Sequence, residues 1–269
     1  MTAQAHVFDG IPGPLLEALR SLAKTAQLTV ALDFDGVLAP LVDRPNDARS
    51  DPKSLQAISD LVLLSGTTVA LVSGRSLESL RAVSGSPDGV LLIGSHGAEY
   101  DLGDGRAGVA LTAEEKRALT ELERAITGVA SRHPEARVEG KPAGFALHTR
   151  GLTPDAAQAA QRDASRTIGA TLPGVTHRAG KDVLEFSVVA ATKADAMHRL
   201  RLHTTATAML YAGDDVTDED AFAALEPGDL SVKVGAGATV ALHRLHGTAE
   251  VAQMLRVLAS DRRNHLLGA

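Results

Sequence analysis

The stretch Leu28 to Gly36, LTVALDFDG, constrains this chain more than any other. Leu28, Val30, Ala31 and Leu32 make a mostly apolar run, which reads as a β-strand buried on both faces of a parallel sheet. The run ends in Asp33 and Asp35, one residue apart and followed at once by glycine. Open α/β sheets keep their chemistry at the carboxyl ends of their strands. Alternation puts both carboxylates on one side while the segment stays extended. Two carboxylates held that close repel each other in a partly dry site. The pair makes sense where one attacks, the other handles protons, and a cation screens both. The plain alternative is a strand ending in a polar Asp-Gly turn. The rest of the chain decides between them.

The pattern repeats before and after that run. Helical spacing covers Pro14 to Ala26, Pro52 to Leu64 and Ser76 to Val83, and buried strands are expected at Thr67 to Val72 and Val90 to Ile93. Val37 to Pro52 holds three prolines with several Asp and Asn, and reads as a flap over the strand end. Met1 to Pro12 shows no periodicity. After a turn-rich junction at Asp101 to Gly108 the grammar changes. A helix at Thr112 to Ala130 opens with a capping box, Thr112 and Glu115. Strands at Ala136 to Lys141 and Gly144 to Arg150, a helix at Pro154 to Ala170, and strands at Gly174 to Arg178 and Asp182 to Val188 follow. From Ala191 the first pattern returns: helix Lys193 to Leu202, strand Ala206 to Tyr211, helix Thr217 to Leu225, strand Leu230 to Val234, and an amphipathic helix Thr248 to Ser260. The expected fold is α/β: a doubly wound, mostly parallel sheet core, residues 1–106 and 189–269, interrupted by an inserted α+β module at 107–188.

Composition narrows the function. The 269 residues suffice for a sizeable core, and with 3% aromatics and no Trp that core must be built from Ala, Val and Leu. The absence of cysteine excludes disulfides, thiolate metal sites and a Cys nucleophile. A net charge of -6 argues against a nucleic-acid partner. No run reaches the length of a membrane span and the N-terminus lacks the features of a signal peptide, so a cytoplasmic protein is expected. The sequence does not fix an oligomeric state and is compatible with a monomer.

Three expected core strands end in polar groups: Asp33 with Asp35, Ser73 with Arg75, and Asp214 with Asp215 and Asp218. In a doubly wound sheet these ends line one crevice. So many carboxylates meeting there need a cation, and all-oxygen ligation suits a hard ion, Mg²⁺ above others. Ser73 offers a hydroxyl and the nearby main-chain N–H groups to an anion, and Lys193 brings a positive charge. An aspartate, a hard cation, a hydroxyl and a lysine around one point are the parts of phosphoryl transfer through an aspartyl-phosphate. Each part alone has a bland reading: a solvated helix start for the acidic cluster, an N-cap for Ser73, a surface lysine for Lys193.

DFDG, SGR, a lone lysine and GDDVTDEDAF together resemble the motif set of haloacid-dehalogenase-like phosphatases. A longer set resembles the trehalose-6-phosphate phosphatase family: LDFDGVLAP, VSGR, GSHGAE and GDDVTDEDAF, with KPAGFALHTR and GKDVLEF inside the insert. The resemblance implies Asp33 as nucleophile, with Asp35 protonating the departing sugar oxygen and then activating water. It implies Mg²⁺ held by Asp33, the Asp35 carbonyl and Asp214, supported by Asp215 and Asp218. Ser73, Gly74 and Lys193 would hold the phosphate, and Arg75 would organise the loop and helix start. The insert would be a cap whose Lys141, His148, Arg150 and Glu185 meet the sugar, with Lys181 a weaker candidate and His133, His177 and Arg178 surface groups. His96 and Glu99 would also face the sugar, or brace their glycine turn. Two departures stand out: Val37 replaces the threonine usual after Asp-x-Asp-Gly, and Lys193 lacks the usual neighbouring glycine. The expected activity is a phosphatase acting on trehalose 6-phosphate. Rivals are a phosphatase for another sugar phosphate, such as sucrose phosphate or a glucosyl-glycerol phosphate, and a non-catalytic phospho-acceptor domain. The expected partner is the small-molecule sugar phosphate, with no nucleic acid and no membrane.

Overall fold

The structure, a computed structural model, describes residues 10–103, 107–108, 111–180 and 182–268. Lys181 and most of the N-terminal stretch without periodicity lie outside the described residues. The chain forms two compact units, one made of Met1–Ala107 with Thr192–Ala269, the other of Gly108–Ala191.

The first unit starts with α1 (Gly13–Leu22), β1 (Leu28–Leu32), α2 (Pro52–Val62), β2 (Thr67–Val72), α3 (Leu77–Ser84), β3 (Leu91–Gly94), β4 (Glu99–Asp101) and β5 (Ala107–Gly108). The second unit contains α4 (Ala113–Arg132), β6 (Arg137–Lys141), β7 (Gly144–His148), α5 (Pro154–Thr171), β8 (Thr176–Gly180) and β9 (Val183–Ser187). The first unit then resumes with α6 (Lys193–Thr204), β10 (Ala208–Gly213), α7 (Asp218–Ala223), β11 (Leu230–Val234), β12 (His243–Leu245) and α8 (Thr248–Gly268).

β1 lies in the middle of a sheet ordered β12-β11-β10-β1-β2-β3-β4-β5. Its pairings with β10 and β2 are parallel, with Leu32 level with Ala212 on one side and Leu71 on the other. That register brings the next residues of all three strands to one edge. Helices cover both faces. Val30 and Leu32 face the apolar residues of α1, α2, α3 and α8, while Ala31, Met209 and Tyr211 face α6 and α7. All five β1 residues are buried, as their apolar run requires.

The second unit is an antiparallel sheet ordered β6-β7-β9-β8. Leu147, Leu184 and Phe186 pack on α4 and α5. α4 starts at the expected capping box, with Thr112 and Glu115 exchanging hydrogen bonds. His133, read from the sequence as a surface group, instead joins Arg132 in holding Asp163 of α5 at 3.2 and 2.9 Å. Hydrogen bonds from Arg132 and Arg166 hold the Asp163 carboxyl down at about 2. No helix among the described residues is long and apolar enough to cross a membrane.

Candidate active site

The end of β1 passes straight into the site. Asp33 N donates to Ala212 O of β10 at 2.9 Å, the last step of the strand pairing, and its carboxylate is then turned into the sheet edge. Asp33 Oδ1 accepts from Phe34 N at 2.6 Å and Oδ2 from Lys193 Nζ at 2.7 Å. Lys193 is the first residue of α6, placed there by a second capping box in which Thr192 and Asp195 exchange hydrogen bonds. Only 2% exposed, Lys193 also donates to Asp218 Oδ1 at 2.5 Å. A buried ammonium is tolerable only with such partners. Asp218 opens α7 and is spoken for on both oxygens, accepting from Tyr211 OH at 2.6 Å and from Asp215 N at 2.7 Å.

Two glycines make the crowding possible. A Cβ at Gly213 would collide with the Asp218 carboxyl group, and one at Gly36 would collide with that of Asp214. The Asp33, Asp214 and Asp218 carboxylates each present an oxygen within 4.8 Å of the others.

The electrostatics follow from that crowding. Burial pushes the Asp33 carboxyl up to about 8, with Lys193 pulling it back and Asp218 and Asp214 pushing it further. Burial and then Asp218 lift Asp214 to about 6. Burial alone would lower Lys193, but Asp33 and Asp218 outweigh it and the ammonium is held above its usual range. Burial and the same carboxylates raise the Tyr211 hydroxyl, so it stays a donor. One lysine facing three acidic groups leaves an excess of negative charge, and the surplus donors are all hard oxygens. The donor set therefore fits a hard divalent cation.

The remaining sequence candidates divide. Asp35 does not join the cluster: Arg75 grips its carboxylate through Nε at 2.6 Å and Nη2 at 2.7 Å. Asp215 is exposed, and its Oδ1 accepts from Val216 N at 2.7 Å instead. Ser73 is buried at the end of β2, with its hydroxyl accepting from Arg75 N at 3.2 Å. A neighbouring loop is hooked to it by main-chain bonds, His96 N to Ser73 O at 3.0 Å and Ser95 N to Arg75 O at 2.7 Å. That loop holds Ser95 and His96 at φ 48° and 57°, a left-handed conformation rare for side-chain-bearing residues. Gly74 leaves room for the His96 ring, which a Cβ there would strike. Glu99 is buried and accepts from Ser95 Oγ at 2.5 Å, the arrangement of a loop brace. Val37, in place of the usual threonine, is fully buried in the apolar core.

In the second unit, strand alternation puts Lys141, His148 and Glu185 on the sheet face away from α4 and α5. Lys141 pairs with Glu185, and His148 Nε2 lies 2.6 Å from Glu139 Oε2. Arg150 follows in an exposed turn just beyond β7. Sequence reasoning missed Glu139, and in the first unit it missed Lys233. Lys233, 4% exposed on β11, donates to the Asp214 carbonyl at 2.6 Å and lies 3.8 Å from Glu219. A lysine in LSVKV, a strand otherwise apolar enough to be buried throughout, was the available signal.

A doubly wound sheet whose central strand ends in a lysine-bound aspartate beside a second acidic strand end, with a separate α+β unit interrupting the chain, defines a haloacid-dehalogenase-like hydrolase architecture. The chain belongs to the trehalose-phosphatase family, whose profile matches residues 31–249. It is 30% identical over 255 residues to trehalose-6-phosphate phosphatase of Escherichia coli, covering 92% of this chain and 91% of that protein. It is also 30% identical to trehalose-phosphate phosphatase of Mycobacterium marinum, covering 92% of this chain but only 66% of that longer protein. The C-terminal domain of C. albicans trehalose-6-phosphate phosphatase has the same fold, with TM-score 0.76, 23% identity and coverage of 93% of this chain and 97% of that one. A trehalose-6-phosphate phosphatase related protein gives TM-score 0.70 at 26% identity, covering 89% and 98%.

Proposed function

We propose that the protein hydrolyses trehalose 6-phosphate to trehalose and inorganic phosphate. The observation that carries the chemistry is Lys193 bridging Asp33 and Asp218 beside Asp214 at the strand ends. The family and its relatives supply the substrate.

Asp33 is the nucleophile. One of its oxygens bonds to phosphorus, the P–O bond to the sugar breaks, and the electron pair stays on the sugar oxygen, which takes a proton from Asp35. Water then attacks phosphorus, gives its proton to Asp35, and the bond to Asp33 breaks. Lys193, Ser73 and Gly74 hold the phosphate oxygens. Asp33 and Asp214 would hold Mg²⁺, with Asp218 behind them; when bound, it places positive charge beside the transferring group. Asp218 anchors Lys193 between the two carboxylates. The second unit serves as the cap, and Lys141, His148, Arg150 and Glu185 bind the disaccharide hydroxyls.

The test is phosphate release over a panel of trehalose 6-phosphate, sucrose phosphate, glucosyl-glycerol phosphate and 4-nitrophenyl phosphate, with Mg²⁺ and with EDTA. Trehalose 6-phosphate should be turned over fastest, and EDTA should silence every reaction. A faster rate on another sugar phosphate would overturn the substrate assignment. No release from any ester would make the protein a phospho-acceptor domain.

A further inference from the structure

Asp35 rests on Arg75, and the arginine is the fixed half of the pair. The Arg75 side chain is 10% exposed, against 32% for Asp35. Its guanidinium carbon lies 5.3 Å from the centre of the Phe34 ring, and Nη1 donates to Ser79 Oγ at 3.3 Å. Its main-chain N donates to Ser73 Oγ. The Asp35 carboxylate, by contrast, has no other hydrogen-bond partner among the described residues. A carboxylate forked onto a guanidinium has both oxygens engaged by donors. Yet one of those oxygens must come within about 2.6–3.2 Å of the departing sugar oxygen.

We infer that Arg75 is a positioning residue that acts through Asp35: it is the dock from which the carboxyl group moves to the leaving sugar oxygen and to which it returns. The inference rests on the acid/base reading of Asp35 given above. In the step it governs, the Asp33 oxygen bonds phosphorus, the bond from phosphorus to the sugar oxygen breaks, and the Asp35 proton goes to that oxygen. An aryl ester such as 4-nitrophenyl phosphate bypasses the requirement, because nitrophenolate leaves without a proton. A lysine cannot replace the arginine, since an ammonium cannot make the planar two-point contact.

Single turnovers with enzyme in excess and Mg²⁺ present read the phosphoryl-transfer step alone. Trehalose release from trehalose 6-phosphate should slow about 100-fold in Arg75→Met, while nitrophenolate release stays within about threefold of wild type. Arg75→Lys should show the same bias, which keeps the test open should Arg75→Met fold poorly. Adding Arg75→Met to Asp35→Asn should slow trehalose release no further than Asp35→Asn alone. Equal slowing of both substrates in the Arg75 variants would overturn the inference by placing Arg75 on the phosphate or in folding, and no slowing of either would reduce the pair to a surface tie. If Asp35→Asn itself shows no bias against the sugar ester, the acid/base reading fails and the inference falls with it. If Asp35→Asn shows the bias and the Arg75 variants do not, only the inference falls.

Discussion

Lys193 stands between Asp33 and Asp218, and Asp214 adds a further carboxylate, with the Lys233 ammonium on its main-chain carbonyl. The folded state therefore holds Asp33 and Asp214 above their ordinary values, near 8 and 6. A group raised in the folded state binds more protons there than in the unfolded chain, so its contribution to stability falls as pH rises from about 4 to about 8. A divalent cation binds the ionised carboxylates and offsets that loss where it is largest. The rise in Tm on adding Mg²⁺ to EDTA-treated protein should accordingly be small at pH 5 and grow steadily to pH 8. Thermal unfolding with and without Mg²⁺ measures it, and a shift that shrinks with pH would count against a cation site in the cluster. Lys233 bears on the same site from behind by holding the Asp214 carbonyl. Lys233→Met keeps the packing but frees that carbonyl, and should raise the Mg²⁺ concentration needed for half-maximal activity about tenfold. An unchanged Mg²⁺ titration would show that Lys233 serves only β11. The meeting of Asp33, Lys193, Asp214 and Asp218 was legible in the sequence because each sits at a strand end or helix start that local pattern reveals. The turning of Asp35 towards Arg75 was not, because that choice depends on a partner on another strand end.

The buried strands and most helices declared themselves by periodicity, and the short strands β4 and β12 did not, being too brief to show any. α8 shows a different failure. Its apolar pattern stops near Ser260, yet the helix continues to Gly268 because Arg262 turns inward. Arg262 is 1% exposed and donates to Ala23 O at 3.2 Å, Thr25 O at 2.9 Å, Ser65 O at 3.2 Å, Gly66 O at 2.6 Å and Thr67 Oγ1 at 2.5 Å. It thereby ties α8 to the loops that enter β1 and β2, at the end of the sheet opposite the site. Burial pulls the guanidinium below its usual value, and main-chain carbonyls accept its hydrogen bonds. Arg262→Ala would strip buried carbonyls of their donor. It should cost about 3 kcal/mol or more by urea unfolding while leaving kcat per folded molecule unchanged. A loss below about 1 kcal/mol would mean that water replaces the guanidinium there.

At the scale of the whole chain, a core that handles the phosphate, as proposed above, meets only the group that all candidate substrates share, which leaves discrimination to the second unit. Alternation alone predicts that Lys141, His148 and Glu185 share a face, and the strand order β6-β7-β9-β8 then sets them side by side. Glu139, the partner of His148, lies only nine residues away across the β6–β7 hairpin, and it escaped because its register against β7 depends on a turn that periodicity does not fix. Charged groups already paired across one sheet face can exchange those pairings for sugar hydroxyls at modest cost, since each hydrogen bond lost is replaced. Removing one such group should then cost about tenfold to a hundredfold in kcat/KM for trehalose 6-phosphate, the worth of one charged hydrogen bond. Glu185→Gln and Arg150→Ala are the informative variants, because the amide keeps the shape that Lys141 packs against and Arg150 lies in an exposed turn. Both should leave kcat/KM for 4-nitrophenyl phosphate within about threefold of wild type, since that ester offers no hydroxyls to the missing group. Asp33→Asn, by comparison, should abolish turnover of both esters with the fold intact by thermal unfolding. Parallel losses on the two esters in Glu185→Gln and Arg150→Ala would remove the second unit from substrate recognition and return the question of specificity to the loops of the core.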